Sequence, residues 1–318
     1  MGVNELVKSH LRHIDHAFAD LIEGEGYPTE LFLVPGVPRI RPMLLLLSAC
    51  ALQREQEFDR NDVEHLALAV EMCAAAITLH DAALGQQGGL RRRVARKILG
   101  RVKTLAGNQL FVRSVKLLTQ VSSESEYLSE FLTLFSDVLQ TQQFAQSWKD
   151  TIPSPEELLE HHSHHSTQLF SFVCRSGARL AGADPKSIGV LGRYGSHMGM
   201  AWLIAEELFW LMDAQETALQ FLRAQASHQE PPYLLTLVYE DVELQQMWSE
   251  LCIYNRTDTA EKIYHKILNK RLLNRAIQTM VEHCFVAEST IRSLDPSPHR
   301  DALISLLWML CDELKGRL

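Results

Sequence analysis

Residues whose types and spacing could do chemistry fall in three places along this 318-residue chain. His80-Asp81 is a His-Asp dipeptide of the kind found in metal phosphohydrolases, where paired metals activate water. Such a site needs further ligands at defined helix positions; His10, His13, His16 and His65 are the available imidazoles, and the dipeptide alone is a weak signal. The run His161-His162-Ser163-His164-His165 sets His161 and His165 four apart, a spacing that can hold zinc or nickel on one helix face. Glu157 and Glu160, one turn upstream, are the nearest third ligands, and half-exposed helix surface is the plainer reading. Arg91, Arg92, Arg93, Arg96, Lys97, Arg101 and Lys103 form a basic stretch, with no acid between Ala82 and Ser123. Guanidinium forks suit phosphate oxygens, whereas a solvated helix face carries the same composition. Nucleic acid would use these charges too, but no stacking aromatics are interleaved with them. Gly85, Gly88 and Gly89 precede the arginines and could offer backbone N–H groups to an anion.

The elements that must position these groups are helices. Prolines cluster at 28–42, 153–155, 185, 231–232 and 296–298, and no proline interrupts Met43 to Ile152. Met200 to Lys315 holds no glycine, so strand-and-turn architectures lack their turn residues. Leu66, Val70, Cys73, Ile77 and Leu84 recur at helical spacing, as do Leu128, Leu132, Phe135 and Leu139. Ser154-Pro155-Glu156-Glu157 is a helix start, with Ser154 as cap and Pro155 in the first turn. Val70 to Leu79 and Met198 to Leu211 are apolar nearly all round and belong at the centre of a bundle. Gln225 to Pro232 is expected to be the most prominent inner loop, and 1–318 to form a single all-α domain.

Composition narrows the class of function. Hydrophobic residues make up 46% of the chain and charged residues 22%, which supports a sizeable core and excludes a disordered chain. Thirty-one basic against 39 acidic side chains give a net charge of −8, so wholesale attraction to nucleic acid is not expected. The six cysteines are dispersed without a Cys-x-x-Cys pair and read as reduced packing residues. The first residues carry no apolar stretch of signal-peptide type, and Leu6 stands where a myristoylation signal wants Ser or Thr. The longest apolar run, Met43 to Leu52, is well short of the roughly 20 residues of a membrane span. The expectation is a soluble, cytoplasmic protein with no integral membrane segment.

One ordered series of motifs goes further. Pro35-Gly36-Val37-Pro38-Arg39-Ile40-Arg41-Pro42 precedes a Leu-rich helix, and one apolar helix later comes Leu79-His80-Asp81. Arg91-Arg92-Arg93 and then Leu105-Ala106-Gly107-Asn108-Gln109-Leu110-Phe111 follow. Gln168-Leu169-Phe170 with Gly182-Ala183, Tyr194-Gly195 leading to Glu206-Glu207, and Pro232-Tyr233-Leu234-Leu235 continue the same register. From about Gly36 to Leu237 this order resembles the trans-isoprenyl (polyprenyl) diphosphate synthases. The resemblance implies an orthogonal bundle of long helices around a central cavity, the isoprenoid synthase fold, in a dimer. It also implies condensation of isopentenyl diphosphate with an allylic diphosphate, the departing diphosphate neutralised by Mg²⁺ held on two Asp-rich helices.

Residue by residue, the resemblance places metal ligands at Asp81, Glu206 and Glu207 and diphosphate-binding arginines at Arg39, Arg41, Arg91 and Arg92. Ala74, Ala75, Ala76 and Ile77 fall on the wall that sets product length; close helix packing through alanine is the competing reading. The first motif reads Asp81-Ala82-Ala83-Leu84-Gly85 and the second Glu206-Glu207-Leu208-Phe209-Trp210, so three acids of six are kept and each helix lacks its i+4 acid. The family's lysine falls on Pro38, its histidine before the first motif on Ala74, its mid-chain lysine and threonine on His165 and Ser166, and a glutamine on Leu203. Residues that bear the fold persist while those that handle charge are replaced. The expectation is a prenyl-diphosphate binder, or a partner or regulatory subunit of an active prenyl synthase, as a homodimer or heteromer, with Mg²⁺-dependent catalysis lost or weakened. An active transferase using Asp81, Glu206 and Glu207 with fewer Mg²⁺ ions is the alternative.

Overall fold

A computed structural model describes residues 40–52, 59–84, 90–122, 124–145, 151–164 and 166–317, together with Ile14, His16 and Trp148. The described secondary structure is all helical: α1 (Ile40–Leu52), α2 (Arg60–Leu84), α3 (Leu90–Leu118), α4 (Glu124–Ala145), α5 (Pro155–His164), α6 (Ser166–Leu180) and α7 (Pro185–Leu211), then α8 (Gln215–His228), α9 (Tyr233–Thr236), α10 (Val242–Tyr254), α11 (Thr257–Ile267), α12 (Lys270–Ile291) and α13 (Pro298–Lys315).

Starts and stops follow local chemistry. Ser154 and Glu157 form a reciprocal capping box: Ser154 Oγ accepts from the Glu157 N–H at 3.3 Å, and Glu157 Oε2 accepts from the Ser154 N–H at 2.8 Å. Asp184, Asp241, Asn269 and Ser297 cap α7, α10, α12 and α13 through their side chains. The expected inner loop is shorter than its composition suggests. Helix α8 runs on through Gln225, Ala226 and Ser227 to His228, and the chain turns at Gln229 with a left-handed φ of 61°. Ala226 is fully buried, and that anchoring outweighs the modest helix propensity of Ser227 and His228.

Helix α7 is the axis of the bundle. It lies between α6 and α12, while α1 packs on α6 and α2 packs on α3. Met198, Ala201, Ile204, Ala205, Leu208 and Leu211 of α7 are buried, as its all-round apolar sequence requires. The α6–α7 crossing is close because a Cβ on Gly195 would sit 2.5 Å from the Phe170 carbonyl oxygen, and one on Gly199 would meet the Phe170 ring at 2.9 Å. The Tyr194 hydroxyl, fully buried, donates to the Leu303 carbonyl at 2.8 Å and ties α7 to α13. The persistent Leu169-Phe170 and Tyr194-Gly195 pairs are therefore packing residues.

One core cluster runs from α1 to α13, and a second, smaller one (Leu68, Met72, Ala76, Leu79 and Leu110) fills the α2–α3 seam. Asn61–His80 is long and apolar enough to cross a membrane; here 61% of that segment is buried inside the bundle, with Leu66, Val70 and Cys73 in the main core. None of the six cysteines is in a disulfide, and all but half-buried Cys50 are buried.

Candidate functional site

Three helices bring charge together beneath the bundle's apolar core. Arg41 projects from the first turn of α1, Glu71 from α2 and Glu206 from α7. Arg41 Nε donates to Glu71 Oε1 at 2.7 Å, and Glu206 adds a second, weaker attraction. Burial opposes the guanidinium's charge, but the two carboxylates outweigh it and raise its pKa. The Arg41 side chain is only 27% exposed and that of Glu71 11%, so this is a screened-off ion pair rather than a surface one.

Glu206 and Glu207 stand side by side on α7 yet do different things. Glu206 has accessible area but is crowded by protein on most sides, which raises its pKa; Arg41 and a hydrogen bond from Trp202 act in the opposite sense. The Glu207 carboxylate accepts the Tyr233 backbone N–H at 2.6 Å. Burial pushes it up to about 8, that hydrogen bond pulling the other way, with Glu230 and Glu206 adding smaller upward contributions. Trp210, one turn beyond Glu206, lays its ring parallel to Phe221 of α8, with centroids 6.5 Å apart.

Helices α2 and α7 have little direct packing among the described residues; each packs on α6. Asp81 lies near the end of α2, and Arg91 and Arg92 lie at the start of α3. Their side chains, like the whole of Arg39 and of the Gly85, Gly88 and Gly89 loop, are outside the described residues. The four wall positions divide by direction. Ile77 faces the main core with Ala74 beside it, and Ala76 is fully buried in the α2–α3 seam with Ala75 at its edge. A Cβ on Gly107 would meet His80 Nε2 at 2.6 Å, so the glycine lets α3 lie against the His80 ring. The ring's Nε2–H donates to Asn108 Oδ1 at 3.1 Å. A stack of aromatics, His80, Phe135, Phe111, Phe131 and Phe172, runs from there across α4 to α6.

With this arrangement in place the comparisons are decisive. The polyprenyl synthetase family matches residues 28–224. The chain belongs to that family. It is 23% identical over 277 residues to a decaprenyl-diphosphate synthase of Dictyostelium discoideum, the match covering 84% of this chain and 58% of that one. It is 24% identical over 190 residues to heptaprenyl diphosphate synthase component 2 of Bacillus subtilis, covering 58% of this chain and 52% of that one. The chain thus aligns with little more than half the length of these relatives. A polyprenyl synthase structure from Caulobacter crescentus, complexed with calcium and isoprenyl diphosphate, superposes with a TM-score of 0.78 at 19% identity, over 97% of this chain and 96% of that one. The fold is the isoprenoid synthase fold.

In this polyprenyl synthetase family member the motif order foretold the helices but not who pairs with whom. Glu71 gave no warning, since it is one of four acids on α2, with Asp62, Glu64 and Asp81, and nothing in their spacing marks it as the partner of Arg41. Tyr233 acts through its backbone, which no side-chain pattern reports. Of the histidine run, His161 and His162 are buried, His164 is exposed and His165 is outside the described residues, so the half-exposed surface expected there is found only in part.

Proposed function

We propose that this polyprenyl synthetase family member serves isoprenoid biosynthesis as a partner or regulatory subunit of a prenyl synthase, or as a binder of prenyl diphosphates. Its own Mg²⁺-dependent condensation is lost or much weakened. The observation that carries this reading is that polar groups of the site already have partners within the protein: Arg41 donates to Glu71 at 2.7 Å, and Glu207 accepts the Tyr233 N–H at 2.6 Å. A Mg²⁺ ion would supply electrophilic neutralisation of the leaving diphosphate, and it requires near-octahedral oxygen ligation. The described face of α7 offers Glu206 and a Glu207 already committed to the backbone, with the Trp210 ring one turn on. This donor set does not fit the family's metal cluster. In the binder reading Arg39, Arg91 and Arg92 would supply the positive charge for a diphosphate, and Arg41 would have to share its own with Glu71.

Association with a second chain of the same fold has its own support. Val102, Leu105 and Val112 share one face of α3 and are 55%, 68% and 65% exposed. Thiols outside any disulfide suit a cytoplasmic location, and one core cluster reaching from Ile40 to Leu314 suits the reading of a single domain. Purified protein incubated with isopentenyl diphosphate and allylic primers, with and without Mg²⁺, is expected to show no Mg²⁺-dependent chain elongation on its own. Elongation at ordinary enzymatic rates would establish the active transferase instead.

A further inference from the structure

We propose that His161, His162 and Glu230 form a zinc-type metal site that fastens α5 to the segment between α8 and α9. His161 and His162 occupy the last turn of α5 and are 4% and 6% exposed; Glu230 follows the left-handed turn at Gln229. One potential ligand atom from each of the three lies within 4.8 Å of the others. Glu230 Oε1 is 3.8 Å from His161 Nε2 and 4.0 Å from His162 Nδ1. Tetrahedral zinc, with bonds of about 2.0–2.1 Å, sets its ligand atoms roughly 3.4 Å apart. The two Glu230 separations need to close by about half an ångström, and no pair in the group by more than about 1.4 Å.

The donor chemistry selects the metal. Two imidazoles and one carboxylate suit Zn²⁺, Co²⁺ or Ni²⁺ and suit Mg²⁺ poorly, since it takes oxygen ligands. The site is thus separate in kind from the family's diphosphate-binding ions. Three protein ligands leave a fourth position for water. Access is at hand: His161 also lines a surface hollow of about 500 Å³ together with Gln140, Thr141, Glu157, Glu160 and His164. Trp148 meets the His161 ring edge-on at 5.1 Å and holds it in place.

The consequence is positional. Glu230 lies three residues before Tyr233, whose N–H is held by Glu207. A metal bound here would pin the Glu230 end of that short segment to α5, the Tyr233 end being held to α7 by Glu207 already.

The test uses the full-length protein freed of metal with a chelator and titrated with Co²⁺. We expect the visible bands of four-coordinate cobalt at one equivalent, their displacement by Zn²⁺, and a higher Tm with Zn²⁺ than with Mg²⁺. Glu230→Gln, isosteric and without the charge, and His162→Gln should each weaken binding by at least about tenfold, the scale already reached by losing outer-shell partners. His164→Ala should leave it unchanged. Featureless cobalt spectra, binding undiminished in Glu230→Gln, binding lost in His164→Ala, or equal stabilisation by Mg²⁺ would each overturn the site. None of these readouts depends on whether the protein condenses prenyl diphosphates.

Discussion

Glu207 reaches across from α7 to hold the backbone N–H of Tyr233 at 2.6 Å. Tyr233 opens α9, a helix of four residues whose preceding Pro232 provides no side-chain cap, so the carboxylate takes over that duty. Glu207→Ala would leave a buried donor without an acceptor and is expected to cost about 1–3 kcal/mol. Glu207→Gln keeps an acceptor oxygen in the same place and should cost much less. Chemical denaturation of the two variants gives the comparison; equal losses would mean the carboxylate matters for its charge and not for this hydrogen bond.

The same residue sets a pH dependence. Its carboxyl pKa is raised from 4.5 to about 8, so the folded state holds a proton that the unfolded state releases. The contribution is fully present below about pH 4.5 and is lost as pH rises through about 8. Wild type minus Glu207→Gln stability, measured across that window, should therefore decline with rising pH. A flat difference would place the carboxyl's pKa near its ordinary value.

A second titration runs the other way. His197 of α7 and His283 of α12 face each other with Nδ1 atoms 2.9 Å apart. Burial lowers the pKa of both, His283 to about 4, and protonated His197 would repel His283 further, Glu282 partly offsetting this. One ring must donate and the other accept, which requires at least one neutral imidazole. With folded pKa values below the unfolded 6.5, this pair contributes stability above about pH 6.5 and loses it as pH falls towards 4. Replacing both with glutamine should remove that acid-side loss in a Tm series while leaving the alkaline side unaltered.

How much of this was written in the sequence depends on the kind of residue. The Ser154 cap, the Pro155 start and the apolar spacing of α2 act through neighbours in the chain, and each appears where the pattern puts it. The motif order from Gly36 to Leu237 likewise carried the fold, because packing residues such as Phe170 and Gly195 have few substitutes. Partnerships across the bundle were not legible. The Arg41–Glu71 pair joins residues 30 apart, and Glu207 meets a backbone group 26 residues on. Such pairs are decided by how helices cross, which spacing along one helix does not encode. The His161 spacing to His165 could not point to Glu230, which comes near His161 and His162 from the turn after α8, and His165 lies outside the described residues.

Gly195 makes the packing argument testable. Gly195→Ala would place a methyl group 2.5 Å from the Phe170 carbonyl oxygen, a backbone atom that cannot rotate away. Alanine is the better helix former, so propensity alone predicts stabilisation of up to about 1 kcal/mol. Overpacking at a tight crossing costs about 1–3 kcal/mol and should win. A lowered Tm is expected, against a raised Tm for Gly189→Ala, whose added Cβ would meet only the Arg193 guanidinium at 3.7 Å and which therefore keeps the propensity gain.

The exposed face of α3 separates association from folding. Leu105 and Val112 are 68% and 65% exposed, so Leu105→Glu with Val112→Lys removes little buried area and should change Tm only slightly. If this face is where a second prenyl-synthase chain docks, two charges at its centre would each have to be desolvated against an apolar partner. The double variant is expected to sediment as a monomer under conditions in which the unmodified chain forms a dimer or captures an added synthase subunit. Unchanged association would move the contact elsewhere and deprive the subunit reading of its surface, while the binder reading, which needs only the arginines, would survive.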